Sequence, residues 1–335
     1  MIKYPFILTD LAHVGSQGLA VSDESWFADE LAICRKWGFP LKIDDDRVRI
    51  DYDDEMLIPC RVQEETPPIV WNGLRVSGYL RLDSTNREAY DRARAGAPEG
   101  TLIYSETQTA GKGRLNRNWF SAAGKGIYLS LILRPVQPWK YWPILTHVAS
   151  LALIDALKRT ELKMNFPKAL DIDLKWPNDV LLGGKKCAGI LLEALTHDED
   201  NAAAIIGVGI NVHAGSVPEE LADAAICVDE AAGVVILRRR LLVRFLRYFQ
   251  NGYTLFQEGR FKEILERWKK FSSMCDGASV TLLESERTRN AITCGLDEIG
   301  ALRLRFPDGS VETVLAGDVR IRRDDAGAAS DRLQS

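Results

Sequence analysis

Helix-like and strand-like apolar patterns are mixed along residues 70–272 of this chain, and this mixture limits the folds open to it. Five stretches are typical of strands: 101–107, 127–133, 171–176, 187–196 and 203–212. Four others have the apolar spacing or end signals of helices: 85–96, 147–160, 241–257 and 261–271. The region is therefore predicted to form one domain of mixed helices and strands, in which the acidic turn HDED joins the last two strands as a hairpin.

The segments on either side differ from this region. Residues 1–66 are acidic and end at a Pro-Pro pair, and residues 1–70 contain 7 basic and 14 acidic residues, a net charge of about −7. A helix is predicted there from Asp23 or Glu24, as the capping residue, to Gly38, followed by a hairpin over 41–51. Residues 273–322 have short strands and turns typical of a small β-barrel, and the polar tail 323–335 is predicted to be disordered.

Composition excludes several functional classes. A net charge of −4 argues against a chain that coats nucleic acid, and there is no apolar run long enough for a membrane span. The N-terminus does not have the pattern of a signal peptide. Six scattered cysteines without a CxxC pair fit reduced thiols in a cytoplasmic protein, and four scattered histidines predict no metal site.

The most informative stretch is residues 107–126, TQTAGKGRLNRNWFSAAGKG, here called the glycine-rich loop. It contains four glycines and four cations (Lys112, Arg114, Arg117 and Lys125) and no acidic residue. Glycines let backbone N–H groups close around an anion, and cations neutralise phosphate oxygens. Neither a Walker A motif nor a GxGxxG fingerprint is present, and a solvated basic loop fits this stretch alone equally well.

Two shorter motifs are less specific. In KWPND (175–179), Pro177 forces a turn that Trp176 anchors, which places Asn178 and Asp179 at a strand end where polar side chains can meet a ligand. DSTN (83–86) precedes a predicted helix that ends at Gly96. Taken singly, the first motif is more typical of a tight turn and the second of a helix cap.

The order and spacing of the motifs are more specific than any one of them. DSTN is followed about 20 residues later by ETQTAGKGRxxRxW, then by KWPND, six residues and KxAGILxE, and finally by GxGINV. In this arrangement residues 80–215 resemble the catalytic domain of the biotin protein ligase family, and the region after 273 resembles the family's small C-terminal domain. The resemblance implies an α/β (α+β) mixed-sheet catalytic domain of the biotin/lipoate ligase type and an SH3-like C-terminal β-barrel.

The resemblance also implies a role for each matching residue. Biotin would be bound by Ser84, Thr85, Asn86, Gln108, Lys112, Gly113, Arg114 and Lys186. The adenylate would be bound by Arg117, Trp119, Asn178 and Asn211. Catalysis would rest on Lys186, Arg114, Arg117 and Asp179. Lys112 stands where the family's GRGR loop has its first arginine, so the charge is kept but a planar bidentate contact becomes a point charge.

The implied chemistry suits these residue types. Biotin and ATP are the substrates, Mg²⁺ arrives with ATP without a metal site of the protein's own, and biotinyl-5'-AMP then passes biotin to a lysine of a biotin carboxyl carrier protein, an acetyl-CoA carboxylase subunit. Fixed cations and Mg²⁺ offset the repulsion between the biotin carboxylate and the α-phosphate. A homodimer remains open, and no membrane partner is expected.

The N-terminal segment leaves one alternative open, and the shared catalytic fold leaves another. Some relatives have an N-terminal winged helix that represses transcription, and residues 26–54 resemble its last helix and wing. Only about 22 residues precede that helix, and the wing is acidic, so we predict a degenerate winged-helix remnant that does not bind DNA. A bifunctional ligase and repressor is the first alternative. A lipoate ligase is the second, although the GKGR and KWPND motifs favour biotin.

Overall fold

A computed structural model describes residues 1–14, 17–37, 39, 41–44, 46–50, 56–66, 74–196, 202–283, 288–315 and 318–321. The N-terminal segment contains, in order, β1 (Ile2–Lys3), α1 (Phe6–Val14), β2 (Leu19–Ala20), α2 (Ser25–Lys36), β3 (Leu41–Ile43), β4 (Arg47–Ile50) and α3 (Pro59–Glu65). The predicted helix and hairpin are confirmed as α2 and the antiparallel pair β3–β4. Glu24 precedes α2 without a side-chain capping bond, and Gly38 lies outside the described residues.

The winged-helix interpretation of this segment is not confirmed. Strands β2, β4 and β3 form a three-stranded sheet, and among the described residues one helix, α1, precedes α2 where a winged helix needs two. Strand β1 pairs instead with β5 (Arg75–Arg81), at the edge of the central sheet. The first strand of the segment therefore belongs to the catalytic sheet, and the predicted boundary at residue 66 stays a prediction.

The central sheet has eight strands in the order β1-β5-β6-β7-β11-β10-β9-β8. Its remaining strands are β6 (Thr101–Ser105), β7 (Gly126–Leu133), β8 (Ile172–Lys175), β9 (Asp179–Leu182), β10 (Lys185–Leu195) and β11 (Ala203–Asn211). Both β6 and β7 are buried along their whole length, which explains their continuous apolar sequences. The β5–β6 pair is parallel and the other pairs of this sheet are antiparallel, so the predicted mixed sheet is confirmed.

Helices cover both faces of this sheet. Helix α4 (Thr85–Arg94) packs on one face through Ala89 and Ala93, which meet Ile103 and Ile132. On the other side, α5 (Ile144–Met164) packs against α7 (Arg238–Gln257) and α8 (Phe261–Lys269). These four predicted helices are confirmed, whereas the short α6 (Val228–Ala232) and the strands β5 and β9 were not predicted. In the described part of the chain, no helix has both the length and the apolarity to cross a bilayer.

The C-terminal strands form a separate antiparallel sheet. They are β12 (Asp276–Leu283), β13 (Thr288–Leu296), β14 (Leu302–Arg305), β15 (Val311–Val314) and β16 (Asp318–Ile321), in the order β15-β14-β13-β12-β16. The predicted short strands are thus confirmed, while their closure into an SH3-like barrel stays a prediction. The indole Nε1 of Trp176 donates a hydrogen bond of 3.1 Å to the carbonyl of Gly300, which joins this sheet to the KWPND turn. The tail 323–335 lies outside the described residues.

Candidate active site

All the residues to which the resemblance gives a role line one cavity of about 240 Å³, whereas Lys125, the fourth cation of the loop, does not line it. The residues with such a role are Ser84, Thr85, Asn86, Gln108, Lys112, Gly113, Arg114, Arg117, Trp119, Asn178, Asp179, Lys186 and Asn211. Helix α4 supplies one end of the cavity, the glycine-rich loop its cover, and strands β9, β10 and β11 its floor. Motifs that lie more than 100 residues apart in the chain therefore form a single site.

The floor is flat because two glycines face each other across paired strands. Gly189 of β10 is opposite Gly209 of β11, and the Trp119 ring lies over both. A Cβ atom at Gly209 would be 2.4 Å from this ring, and one at Gly189 would be 2.9 Å from it. Since any side chain there would displace the indole, these glycines of the GxGINV and KxAGILxE motifs fix the place of Trp119.

A hydrogen-bonded polar group forms the α4 end of the cavity. The amide side-chain oxygen of Gln108 accepts from the Thr85 backbone N–H at 2.8 Å, and Gln108 Nε2 donates to Ser121 Oγ at 2.9 Å. Ser130 Oγ lies 2.9 Å from Thr85 Oγ1 and 2.6 Å from Asn86 Oδ1. These contacts fix the orientation of the buried amide and hydroxyl groups before any ligand binds.

Three uncharged polar atoms at the cavity, on Ser84, Trp119 and Ser216, have no hydrogen-bond partner among the described residues. Ser84 Oγ and Trp119 Nε1 are both buried and unpaired. Ser84 precedes α4 but makes no side-chain capping bond; its backbone N–H donates to Asp83 Oδ1 at 2.6 Å. Because an unpaired buried polar group costs about 1–3 kcal/mol, these atoms indicate places where a ligand would supply the partner.

Two lysines in the site are held by carboxylates. Lys186 Nζ is 2.7 Å from Asp179 Oδ1 and 5.3 Å from the centre of the Trp119 ring. Lys112 Nζ is 3.3 Å from Glu193 Oε1. Asp179 is the last residue of KWPND and lies opposite Gly189 in the β9–β10 pair, so the turn places its carboxylate beside Lys186.

The turn and the glycine-rich loop meet through Asn178. Its Nδ2 donates to the Ile190 carbonyl at 2.7 Å, and its Oδ1 accepts from Arg114 Nη1 at 3.3 Å. Within the loop, the Gly113 N–H donates to the Arg117 carbonyl at 2.7 Å, which closes a tight turn around the exposed Leu115. Both loop arginines line the same cavity as Lys186.

The chain is similar to known biotin ligases. Residues 78–211 match the family described as the biotin/lipoate A/B protein ligase family. The chain is 33% identical over 242 residues to the bifunctional ligase/repressor BirA of Bacillus subtilis, which is 72% of each chain. It is 32% identical over 233 residues to the biotin--[acetyl-CoA-carboxylase] ligase of Paracoccus denitrificans, 68% of this chain and 93% of that one. The chain belongs to the biotin protein ligase family.

A solved structure of this family has the same fold. The biotin protein ligase of Aquifex aeolicus, in complex with biotin and ATP, is 30% identical and superposes with a TM-score of 0.60 over 74% of this chain and 99% of that one. Its whole length is therefore matched within this longer chain.

Sequence reasoning missed two polar residues of this biotin ligase site. Glu193 accepts from Asn86 Nδ2 at 2.8 Å with one oxygen and pairs with Lys112 through the other. Glu193 is the last residue of the KxAGILxE motif, but the spacing of the motif did not indicate a binding or catalytic role for it. Ser130, which contacts Thr85 and Asn86, lies in a fully buried strand and gives no signal in the sequence.

The three described histidines lie outside the cavity of this biotin ligase family member, and His197 lies outside the described residues. His147 is buried in α5, its ring 4.9 Å from that of Trp268, and burial lowers its pKa to about 4. His213 pairs with Asp229 at 2.7 Å. Among the described residues, His13, Cys60 and Glu64 form the one group with metal-ligand atoms within 4.8 Å of one another, on α1 and α3. Within this group, His13 Nε2 and Glu64 Oε1 are 3.3 Å apart.

Proposed function

We propose that this chain is an ATP-dependent biotin ligase that forms biotinyl-5'-AMP and transfers biotin to a lysine of a biotin carboxyl carrier protein. The observation that carries the proposal is the cavity, which is lined by a buried hydrogen-bonding group, by a set of cations and by Trp119. Family membership supports the same activity.

The α4 end of the cavity suits the ureido ring of biotin. A buried urea needs both donors and acceptors, and Ser84, Thr85, Asn86 and Gln108 provide hydroxyl and amide groups of both kinds. Ser84 Oγ is unpaired among the described atoms, so it is free to bond the ureido group. The neighbouring apolar residues Leu129 and Val208 would contact the ring atoms of biotin.

The cationic side of the cavity suits the first chemical step. The biotin carboxylate attacks the α-phosphate of ATP, and pyrophosphate leaves, so negative charge concentrates where Lys186, Arg114 and Arg117 converge. Lys186 is already directed by Asp179. The Trp119 ring, held over the glycine floor, would cover the nucleotide side, with Asn178 and Asn211 as polar contacts.

Mg²⁺ would enter this site with ATP. The nearest carboxylates, Asp179 and Glu193, are each paired with a lysine. Phosphate oxygens and water would therefore supply most of the ligands of the ion, as Mg²⁺ usually requires in nucleotide sites. The protein's own cations would complete the neutralisation of the reacting phosphate.

In the second step the acceptor lysine amine attacks the carbonyl of biotinyl-AMP, and AMP leaves with the electrons of the broken bond. Asp179 and Asn178 stand at the end of β8–β9 beside Lys186, where an incoming amine would arrive. The glycine-rich loop would keep water from the mixed anhydride until then. Six free cysteines, four of them buried, suit a cytoplasmic place for this reaction.

A second candidate function is repression of transcription in addition to ligation, because the Bacillus subtilis relative is named a bifunctional ligase/repressor. Against it stand the net charge of about −7 over residues 1–70 and the single helix that precedes α2 in the described residues. We propose that DNA is not a partner. Homodimer formation is left to measurement.

The activity is tested by mass spectrometry of a carrier domain incubated with the protein, ATP, Mg²⁺ and either biotin or lipoate. We expect a mass increase of one biotin, with AMP and pyrophosphate as products. Cleavage of ATP to ADP, or addition of lipoate in place of biotin, would contradict the proposal.

A further inference from the structure

Both ends of the glycine-rich loop are held by one arginine that lies outside the cavity. Arg238, the first residue of α7, donates from Nη1 to Glu106 Oε2 at 2.6 Å and to the Gly126 carbonyl at 3.2 Å. Glu106 directly precedes the loop, and Gly126 is its last residue. The side chains of Arg238 and Glu106 are 6% and 8% exposed, and neither lines the cavity.

The other carboxylate oxygen of Glu106 accepts a hydrogen bond from the N-terminal segment. The hydroxyl of Tyr4, just after β1, donates to Glu106 Oε1. Burial, followed by the Glu106 carboxylate, raises the pKa of Tyr4 well above its usual value, so the hydroxyl keeps its proton and remains a donor. Tyr4, Glu106 and Arg238 together are here called the loop base.

Each end of the loop is close to residues that line the cavity. Gln108, two residues after Glu106, fixes Thr85. Gly126 is paired with Asn211 across β7 and β11. A shift at the loop base would therefore move Gln108, at the end of the cavity proposed to bind biotin, and Asn211, at the end proposed to bind the nucleotide.

The burial of the Arg238–Glu106 ion pair is not explained by a gain in folding stability. The cost of removing two charges from water commonly equals or exceeds their attraction, so a buried pair is weak evidence of stabilisation. Such pairs can instead fix one arrangement of the chain. Here the arrangement that is fixed is the separation and angle of the two loop ends.

We propose that Tyr4, Glu106 and Arg238 are positioning residues that hold the ends of the glycine-rich loop and so determine how long biotinyl-AMP stays bound. The inference rests on the proposed function, because the ligand retained is biotinyl-AMP. It gives the N-terminal segment a part in ligation that is independent of DNA.

The test compares Tyr4→Phe with Tyr104→Phe. Tyr104 is also buried, lies 5.9 Å from Tyr4 between ring centres, and donates its hydroxyl to the Leu57 carbonyl, not to Glu106. Each variant loses one buried hydrogen bond between the N-terminal segment and the sheet, so similar losses of stability are expected. Only Tyr4→Phe should release biotinyl-AMP faster, by about fivefold, the ratio for one hydrogen bond.

Two further measurements complete the test. Trypsin should cut the ligand-free loop at Lys112, Arg114 and Arg117 faster in Tyr4→Phe than in Tyr104→Phe. Arg238→Lys keeps the charge but loses the forked donor, and should raise the KM for biotin more than it lowers kcat. Equal release and equal cleavage in the two tyrosine variants would overturn the proposal. A wild-type protein that makes no biotinyl-AMP would instead refute the proposed function, while loop cleavage would still test the loop base.

Discussion

At the scale of single residues, Lys186, which is paired with Asp179, is expected to matter for the reaction and not for stability. Lys186 is about one-third exposed, so its pairing with Asp179 contributes at most about 1 kcal/mol to folding. Lys186 also lines the cavity in which we propose that the carboxylate and phosphate react. Its contribution to the reaction should therefore far exceed its contribution to stability.

Replacing Lys186 with Ala should slow biotinyl-AMP formation about a hundredfold or more, because a fixed cation at developing charge is worth several kcal/mol. Single-turnover quench experiments measure this rate. The neighbouring Lys185, whose Nζ bonds the Ala222 carbonyl outside the cavity, provides the control, and Lys185→Ala should keep the wild-type rate. Near wild-type formation in Lys186→Ala would show that Lys186 is only a partly exposed lysine.

Ser84→Ala should weaken biotin binding without lowering stability. Removing an unpaired buried hydroxyl costs the free protein nothing, while the complex loses a bond worth about 1 kcal/mol. Ser130→Ala is the matched comparison, because Ser130 Oγ is already bonded to Thr85 or Asn86, and it should lower both stability and affinity. Calorimetry of biotin binding and thermal unfolding separate the two cases. A stability loss in Ser84→Ala equal to that of Ser130→Ala would show that Ser84 has a structural role.

At the scale of elements, the glycine-rich loop has little apolar surface to bury and several like charges. We therefore expect it to open readily in the free protein and to close over biotinyl-AMP, where its cations gain anionic partners. Tryptic cleavage at Lys112, Arg114 and Arg117 should slow severalfold with biotin, ATP and Mg²⁺. Cleavage at Arg260, exposed between α7 and α8, is the internal control.

The same loop gives a functional prediction for Arg114→Ala. The variant should retain biotinyl-AMP less well, so that escaped intermediate labels nearby lysines indiscriminately. Streptavidin blots of a bystander protein measure this labelling. If the loop is cut equally with and without ligand, and Arg114→Ala labels no more than wild type, the loop does not act as a cover.

Helix α5 contains a pH-sensitive position in His147. Its pKa of about 4 in the folded protein, against 6.5 for the free side chain, arises from burial. The unfolded chain takes up this proton first as pH falls, so the stability is complete above about pH 6.5 and is lost progressively toward pH 4. Between about pH 7 and pH 5 the loss should be about 2 kcal/mol. His147→Gln should remove this part of the pH dependence in denaturant titrations.

The elements with a clear period were predictable from the sequence, and those made by distant contacts were not. Helices α4, α5, α7 and α8 and strands β6, β7, β10 and β11 follow local apolar spacing. Strand β9 is four residues long and β1 two, and both exist because of partners elsewhere in the sheet. In the site, motif residues were found by order and spacing, whereas Ser130 and Arg238 depend on three-dimensional neighbours alone.

At the scale of the whole molecule, the N-terminal segment is part of the catalytic body. Its strand β1 extends the central sheet, Tyr4 reaches Glu106, and Arg239 of α7 pairs with Glu65 at 3.2 Å. The basic side chains of its hairpin are already engaged: Arg49 pairs with Asp44 at 2.7 Å, and Arg47 bonds the Gln17 carbonyl at 2.9 Å. This arrangement leaves little positive surface for a phosphate backbone.

Duplex DNA should accordingly bind weakly and without sequence preference, with Kd of about 1 μM or weaker at physiological salt. Anisotropy titrations against genomic fragments, with biotin and ATP present, measure this affinity. A double variant, Asp44→Lys with Asp46→Lys, should tighten binding to all sequences alike. Submicromolar, sequence-selective binding by the wild-type protein would restore the repressor alternative.

The loop base also sets an order of events during synthesis. Glu106 is synthesised 132 residues before its partner Arg238. At ordinary translation speeds, this separation corresponds to a delay of roughly 10 s. By the end of that interval the nascent polypeptide contains every motif residue from Ser84 to Asn211. It lacks the side chain that ties the loop ends together. The site should therefore mature only after α7 has left the ribosome, and a chain truncated before residue 238 would have the family's whole signature without a working enzyme.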